Sequence, residues 1–131
     1  MDNFKTKILV VDDEPLSALV LKELLEKIGY EVIIAENGMQ AWDKLTESNY
    51  NIALVIADRM MPGIDGVELT RMIRNNMAFK NVPVIMLTGD ADRDEQKAAL
   101  ESGIFDFLLK PIEPELLYKV TERALRDGRG F

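Results

Sequence analysis

Four short runs of Val, Ile and Leu in this chain end at a group that can do chemistry. Asp12 and Asp13 follow run 8–11, Asp58 follows run 53–57, Thr88 follows run 84–87 and Lys110 follows run 107–109. Three carboxylates brought together repel one another, and burial would raise their pKa values unless a cation shared the site. With no His and no Cys anywhere in the chain, the donors are hard oxygens, which select Mg2+ or Mn2+ over zinc. Mg2+ keeps waters and takes a phosphate oxygen as a further ligand. A metal, a lysine and a hydroxyl around one carboxylate form an electrostatic cradle for a dianionic phosphoryl group. Asp58 is the natural nucleophile there, since carboxylates form acyl phosphates and a metal can screen both the attacking oxygen and the incoming group.

Those residues meet only if the elements carrying them are arranged to bring them together. The apolar runs 8–11, 32–35, 53–57, 84–87 and 107–109 have the form of parallel strands covered on both faces. Between them lie helical patterns. Leu21, Leu24, Leu25 and Ile28 follow the i, i+3, i+4, i+7 spacing, and Gly38, Ala41, Trp42 and Leu45 repeat it. Gly29 fits a helix stop, Asp65 can cap a helix running to about Arg74, and Pro114 can open the last helix. The fourth helix, about 92–102, carries Asp92, Arg93, Asp94, Glu95, Gln96, Lys97 and Glu101. That leaves it a thin apolar face, so it is expected to be the most loosely held.

A strand–helix unit repeated five times predicts a flavodoxin-like (βα)5 fold, an α/β doubly wound parallel five-stranded sheet of order 2-1-3-4-5 with right-handed crossovers. Ligands of such sheets bind beyond the carboxyl ends of the strands, beside the switch point between the first and third. The second strand, the one without a polar terminal group, lies at the edge in this order. The other four are contiguous and aim their groups into one pocket.

Composition narrows the chemistry further. A length of 131 residues, 47% hydrophobic and 30% charged, suits one soluble domain with its own core. The domain is expected over 1–131, with its core at about 7–126 and 127–131 as a tail or the start of a linker to an output domain. Absence of His and Cys excludes thiol catalysis, disulfides, zinc fingers and a Ser-His-Asp triad. No apolar run reaches the roughly 18 residues of a membrane span, no signal-peptide layout opens the chain, and a cytoplasmic setting is expected. The net charge of −7 opposes attraction to nucleic acid and to anionic lipid.

Taken singly, each residue has an ordinary reading. Asp13 ahead of Glu14 and Pro15 reads as a helix cap, as does Asp65 before Gly66. Thr88 with Gly89 reads as a turn, Lys110 as an exposed lysine, Phe107 as core, and Met60, Met61 and Pro62 as loop packing. Their conjunction at the ends of four strands favours the phosphoryl reading. The same sheet can carry two other functions. A phosphatase resembling haloacid dehalogenases would want a second Asp two residues after the nucleophile, where Met60 stands. A nucleotide or flavin binder would want a glycine-rich loop after the first strand, where Asp12, Asp13 and Glu14 stand instead.

The segments ILVVDDE (8–14), DRMMPGIDG (58–66), LTG (87–89) and FLLKP (107–111) resemble those of the receiver domain of two-component response regulators, in the CheY-like superfamily. The resemblance runs from about Lys7 to Arg126. It implies Asp58 as phosphoacceptor, Asp13 as a direct Mg2+ ligand, Asp12 as a ligand mostly through water, and the backbone carbonyl of Met60 as a further ligand. Thr88, the Gly89 N–H and Lys110 would bind the phosphoryl oxygens, and Pro111 would follow a cis peptide. Thr88 and the Phe107 ring would form a switch that alters the face of the fourth helix, fifth strand and fifth helix. Met60 and Asp90 match positions that tune hydrolysis of the acyl phosphate, and Gly89 stands where alanine is frequent. Implied partners are a sensor histidine kinase or phosphotransfer protein, a C-terminal output domain, and a second copy of the chain through that same face. Within the family, an N-terminal receiver is the expected placement.

Overall fold

The computed structural model describes residues 5–47, 51–89 and 92–128. Five strands alternate with five helices: β1 (Lys7–Val11), α1 (Pro15–Lys27), β2 (Glu31–Ala35), α2 (Gly38–Thr46), β3 (Leu54–Asp58), α3 (Gly66–Arg74), β4 (Val84–Thr88), α4 (Arg93–Glu101), β5 (Asp106–Leu109) and α5 (Pro114–Asp127). All pairings are parallel, in the order β2-β1-β3-β4-β5. Expected fold and strand order are both realised.

The strand sequences are apolar at almost every position because both sides of the sheet are covered. Period-2 alternation divides them between two cores. Leu9, Val11, Val55, Ala57, Val84 and Met86 face α2, α3 and α4, where Ala41, Leu45, Leu69, Ile73 and Ala99 meet them. Ile8, Val10, Leu54, Ile56, Ile85 and Leu87 face α1 and α5, through Leu21, Leu25, Leu117, Val120 and Ala124. Every residue of β3 and β4 is buried. Each fully buried Leu, Ile or Val contributes about 1.5–3 kcal/mol relative to exposure, so the central strands are held firmly.

Helix ends follow local chemistry. Pro15 and Pro114 open α1 and α5, where a missing N–H costs nothing. Gly29 ends α1 at φ +104°, a conformation that other residues adopt only with strain. Asp65 caps α3 by accepting from Glu68 N at 2.9 Å. At α1 the expected cap is replaced: Glu14, not Asp13, occupies the N-cap position, and its side chain makes no capping bond. In the α1 pattern, Ile28 falls at the C-cap and is 43% exposed, the helix ending one residue earlier at Lys27.

The α4 helix buries only Ala99, which bears out its thin apolar face. Its far end is secured from outside by Arg74, whose Nε donates to Gly103 O at 2.8 Å and whose Nη1 donates to Val82 O at 2.6 Å. One guanidinium thus ties the end of α3 to the loops before β4 and after α4. Arg74→Met keeps the apolar stem but leaves these carbonyls unpaired. It is expected to lower stability by about 2–3 kcal/mol, measured as a lower urea midpoint at unchanged slope.

Candidate functional site

Backbone hydrogen bonds carry the sheet one residue past several strand ends. Asp12 N donates to Ala35 O at 3.1 Å, Arg59 N to Leu87 O at 2.8 Å, and Lys110 N to Thr88 O at 2.8 Å. Asp58 lies opposite Leu87, and Thr88 opposite Leu109. The polar residues at the tips of β1, β3, β4 and β5 are therefore fixed by the sheet itself rather than by loose loops. That is the arrangement a reaction needing accurate placement requires.

Oxygens of Asp12, Asp13 and Asp58 lie within 4.8 Å of one another. Asp12 and Asp58 are buried, at 2% and 7% exposure, while Asp13 is open to solvent. Asp12 Oδ1 accepts from Glu14 N at 2.9 Å and so shapes the turn into α1. Its Oδ2 is buried and has no hydrogen-bond partner. Burial pushes the Asp12 carboxyl above its ordinary value, and the charges of Asp58 and Asp13 push the same way. The Glu14 N–H and Lys110 oppose them.

Lys110 Nζ sits 3.0 Å from Asp58 Oδ2. The lysine is exposed, as its ordinary reading has it, and its ammonium nevertheless pairs with Asp58. Three carboxylates and one ammonium, all ionised, leave a charge of −2 (−3 + 1). That charge and an all-oxygen donor set suit a small divalent cation. A buried orphan oxygen on Asp12 is a ready ligand or water acceptor for it, so the residues present fit Mg2+.

Other site candidates lie close by. Thr88 is buried at the end of β4, and Gly89 after it is exposed, with room for a methyl group since nothing lies within 4 Å of an added Cβ. The Lys110–Pro111 peptide is cis. Phe107 is half-buried, packed against the α2–α3–α4 core. Met60 is 68% exposed on the loop after β3. Asp90 lies outside the described residues. Gly66 brings α3 against the end of β3: an added Cβ would stand 2.8 Å from the Asp58 carbonyl, closer than real contacts allow.

Two residues with no role assigned from sequence enter here. Arg59, next to Asp58, forms an ion pair with Glu95 of α4 and donates through Nη1 to Met60 Sδ at 3.2 Å. In sequence, an arginine in an acidic chain and a glutamate on a charged helix carry no sign that they face each other.

Residues 8–122 match the family model "Response regulator receiver domain". Chemotaxis protein CheY1 of Helicobacter pylori is 36% identical over 120 residues, covering 91% of this chain and 96% of that protein. The transcriptional regulatory protein ResD of Bacillus subtilis is 42% identical over 122 residues, covering 93% of this chain and 49% of that protein. The crystallised chemotaxis protein CheY4 of Vibrio cholerae superposes with a TM-score of 0.86 at 30% identity, covering 93% of this chain and all (100%) of that one. With its acidic cluster and lysine at the carboxyl edge of a 2-1-3-4-5 sheet, the chain belongs to the response regulator receiver domain family of two-component signalling.

Proposed function

We propose that Asp58 accepts a phosphoryl group from a phosphohistidine of a sensor histidine kinase or phosphotransfer protein, with Mg2+ held beside it. The observation that carries this reading is the Lys110 ammonium 3.0 Å from Asp58 Oδ2, opposite a three-carboxylate cluster with an orphan oxygen. A carboxylate oxygen of Asp58 forms the new P–O bond as the P–N bond of a donor imidazole protonated on its other ring nitrogen breaks, leaving an acyl phosphate and a neutral imidazole. Water later cleaves the acyl phosphate to restore Asp58. The chain is a signalling phosphoacceptor that assists its own phosphorylation and slow dephosphorylation, not a turnover enzyme.

Each residue has a part in that step. Asp13, Asp58, the Met60 carbonyl and Asp12, the last through water, would hold Mg2+ (or Mn2+). When bound, the metal neutralises carboxylate charge and draws in a phosphoryl oxygen. Lys110 pairs with another phosphoryl oxygen, and the Thr88 hydroxyl and Gly89 N–H bind the remainder. Met60 and Asp90 stand in the sequence at the positions that tune hydrolysis in receiver domains, and we assign them the lifetime of the acyl phosphate.

Output follows from a two-state equilibrium. The phosphoryl group favours the state in which Thr88 is drawn toward it, and Phe107 turns into the space so changed. The face of α4, β5 and α5 then differs between states, and a partner, an output domain or a second copy of the chain reads it. The receiver unit takes up about 7–127, one residue further than the 7–126 expected from sequence because α5 includes Asp127, in a cytoplasmic setting where the kinase's phosphohistidine is within reach. Among the described residues no helix is long and apolar enough to cross a membrane.

Incubation with acetyl phosphate and Mg2+ is expected to add the mass of one phosphoryl group to the intact protein. Asp58→Asn, or omission of Mg2+, should leave the mass unchanged; equal gain by the variant contradicts the assignment. Lys110→Ala is expected to fold but not to convert phosphorylation into the altered α4–β5–α5 face, checked by amide exchange across that face. Asp12→Asn removes a repelling charge and keeps the bond from Glu14 N. It should therefore raise metal-free stability by about 0.5–1.5 kcal/mol. The same variant should lose most of the Mg2+ stabilisation, which for the unaltered protein is about 1.4 kcal/mol at roughly ten times Kd. Thermal melts with and without Mg2+ measure both effects.

A further inference from the structure

The ion pair between Arg59 and Glu95 joins the residue after the phosphoacceptor to the first turn of the least buried helix. Its position is specific. Together with Met86, Thr88, Ala99 and Phe107, the two residues line a small enclosed pocket. Thr88 and Phe107, the pair proposed to switch, thus border the same small gap as Arg59 and Glu95.

The two partners of the ion pair are unequally exposed. Arg59 side-chain exposure is 17%, and that of Glu95 is 38%. Arg59 is also steadied by the contact of Nη1 with Met60 Sδ at 3.2 Å. Its Nε is buried without a hydrogen-bond partner, so the guanidinium has capacity for another acceptor. Glu95 stands in a turn anchored locally by Asp92, which accepts from Asp94 N at 2.7 Å and Glu95 N at 3.3 Å. The helix offers the sheet only Ala99 as a fully buried side chain. An ion pair is therefore a substantial part of what sets the position of its first turn.

We infer that the Arg59–Glu95 pair is a latch that holds the first turn of α4 over the Thr88–Phe107 pocket in the unphosphorylated state and releases when Asp58 carries a phosphoryl group. The inference rests on the phosphoacceptor reading of Asp58. A dianion on the neighbouring residue offers the arginine a competing acceptor, and movement of Thr88 alters the pocket that the pair borders. A ligand-driven shift requires such a difference between the two states. In the unphosphorylated state Arg59 and Glu95 act through α4 as positioning residues, paired with each other.

Amide exchange of α4 tests this in the full chain with Mg2+, before and after treatment with acetyl phosphate. In unphosphorylated protein, Glu95→Gln and Arg59→Gln should each speed α4 exchange about three- to five-fold. The double variant should be no faster than either single one, because both remove the same interaction. After phosphorylation, all variants should match the unaltered protein. Unchanged exchange in the unphosphorylated variants, or additive effects, overturns the latch. Equal acceleration in both states also overturns it, leaving the pair a static prop. Failure of the unaltered protein to gain a phosphoryl group overturns the functional reading and the state dependence with it. The unphosphorylated comparison still reports separately whether the pair holds α4.

Discussion

Gathering like charges at the ends of buried strands is the constraint on which the rest of this molecule turns. Asp12 and Asp58 are buried, and the oxygens of both lie within 4.8 Å of Asp13. One lysine compensates only part of that charge. A chain selected for stability alone would place neutral residues there, since a buried carboxylate without a full set of partners costs free energy. The raised pKa of Asp12 is the local sign of this cost. The same imbalance suits the cluster to a divalent cation and, in the function proposed, to the phosphoryl group such a cation would bring. Function and instability therefore have one origin.

The remainder of the fold offsets that cost and gives it direction. Fully buried β3 and β4 hold Asp58 and Thr88 in fixed register, while backbone bonds beyond the strand ends hold Asp12, Arg59 and Lys110. Against this rigid side stands α4, with one buried residue and a charged first turn. A charge change at Asp58 can shift a weakly held helix far more readily than a central strand. In the function proposed, this division between rigid sheet and loosely held helix carries the signal, and the Arg59–Glu95 pair lies on the boundary.

Much of this was legible in the sequence because it depends on local periodicity. Apolar runs followed by Asp, Thr or Lys placed four of the strand ends, and the strand order then brought those ends together. Asp65 read correctly as a cap from its neighbours alone. Asp13 did not, because the turn into α1 is shaped by Asp12 accepting from Glu14 N, a choice between adjacent aspartates that residue type cannot express. The Arg59–Glu95 pair and the Arg74 clamp on Gly103 and Val82 were illegible for a different reason. Long charged side chains reach partners far away in sequence, and no period or spacing encodes the contact.

The central claim is that the sheet edge selects Asp58, among three neighbouring carboxylates, as the one that bonds to phosphorus. Borohydride reduction of the acyl phosphate, followed by peptide sequencing in a mass spectrometer, reads that selection directly, because the phosphorylated aspartate becomes homoserine. Homoserine at position 58 alone is the predicted result. Homoserine at position 12 or 13, or spread among the three, would contradict the account.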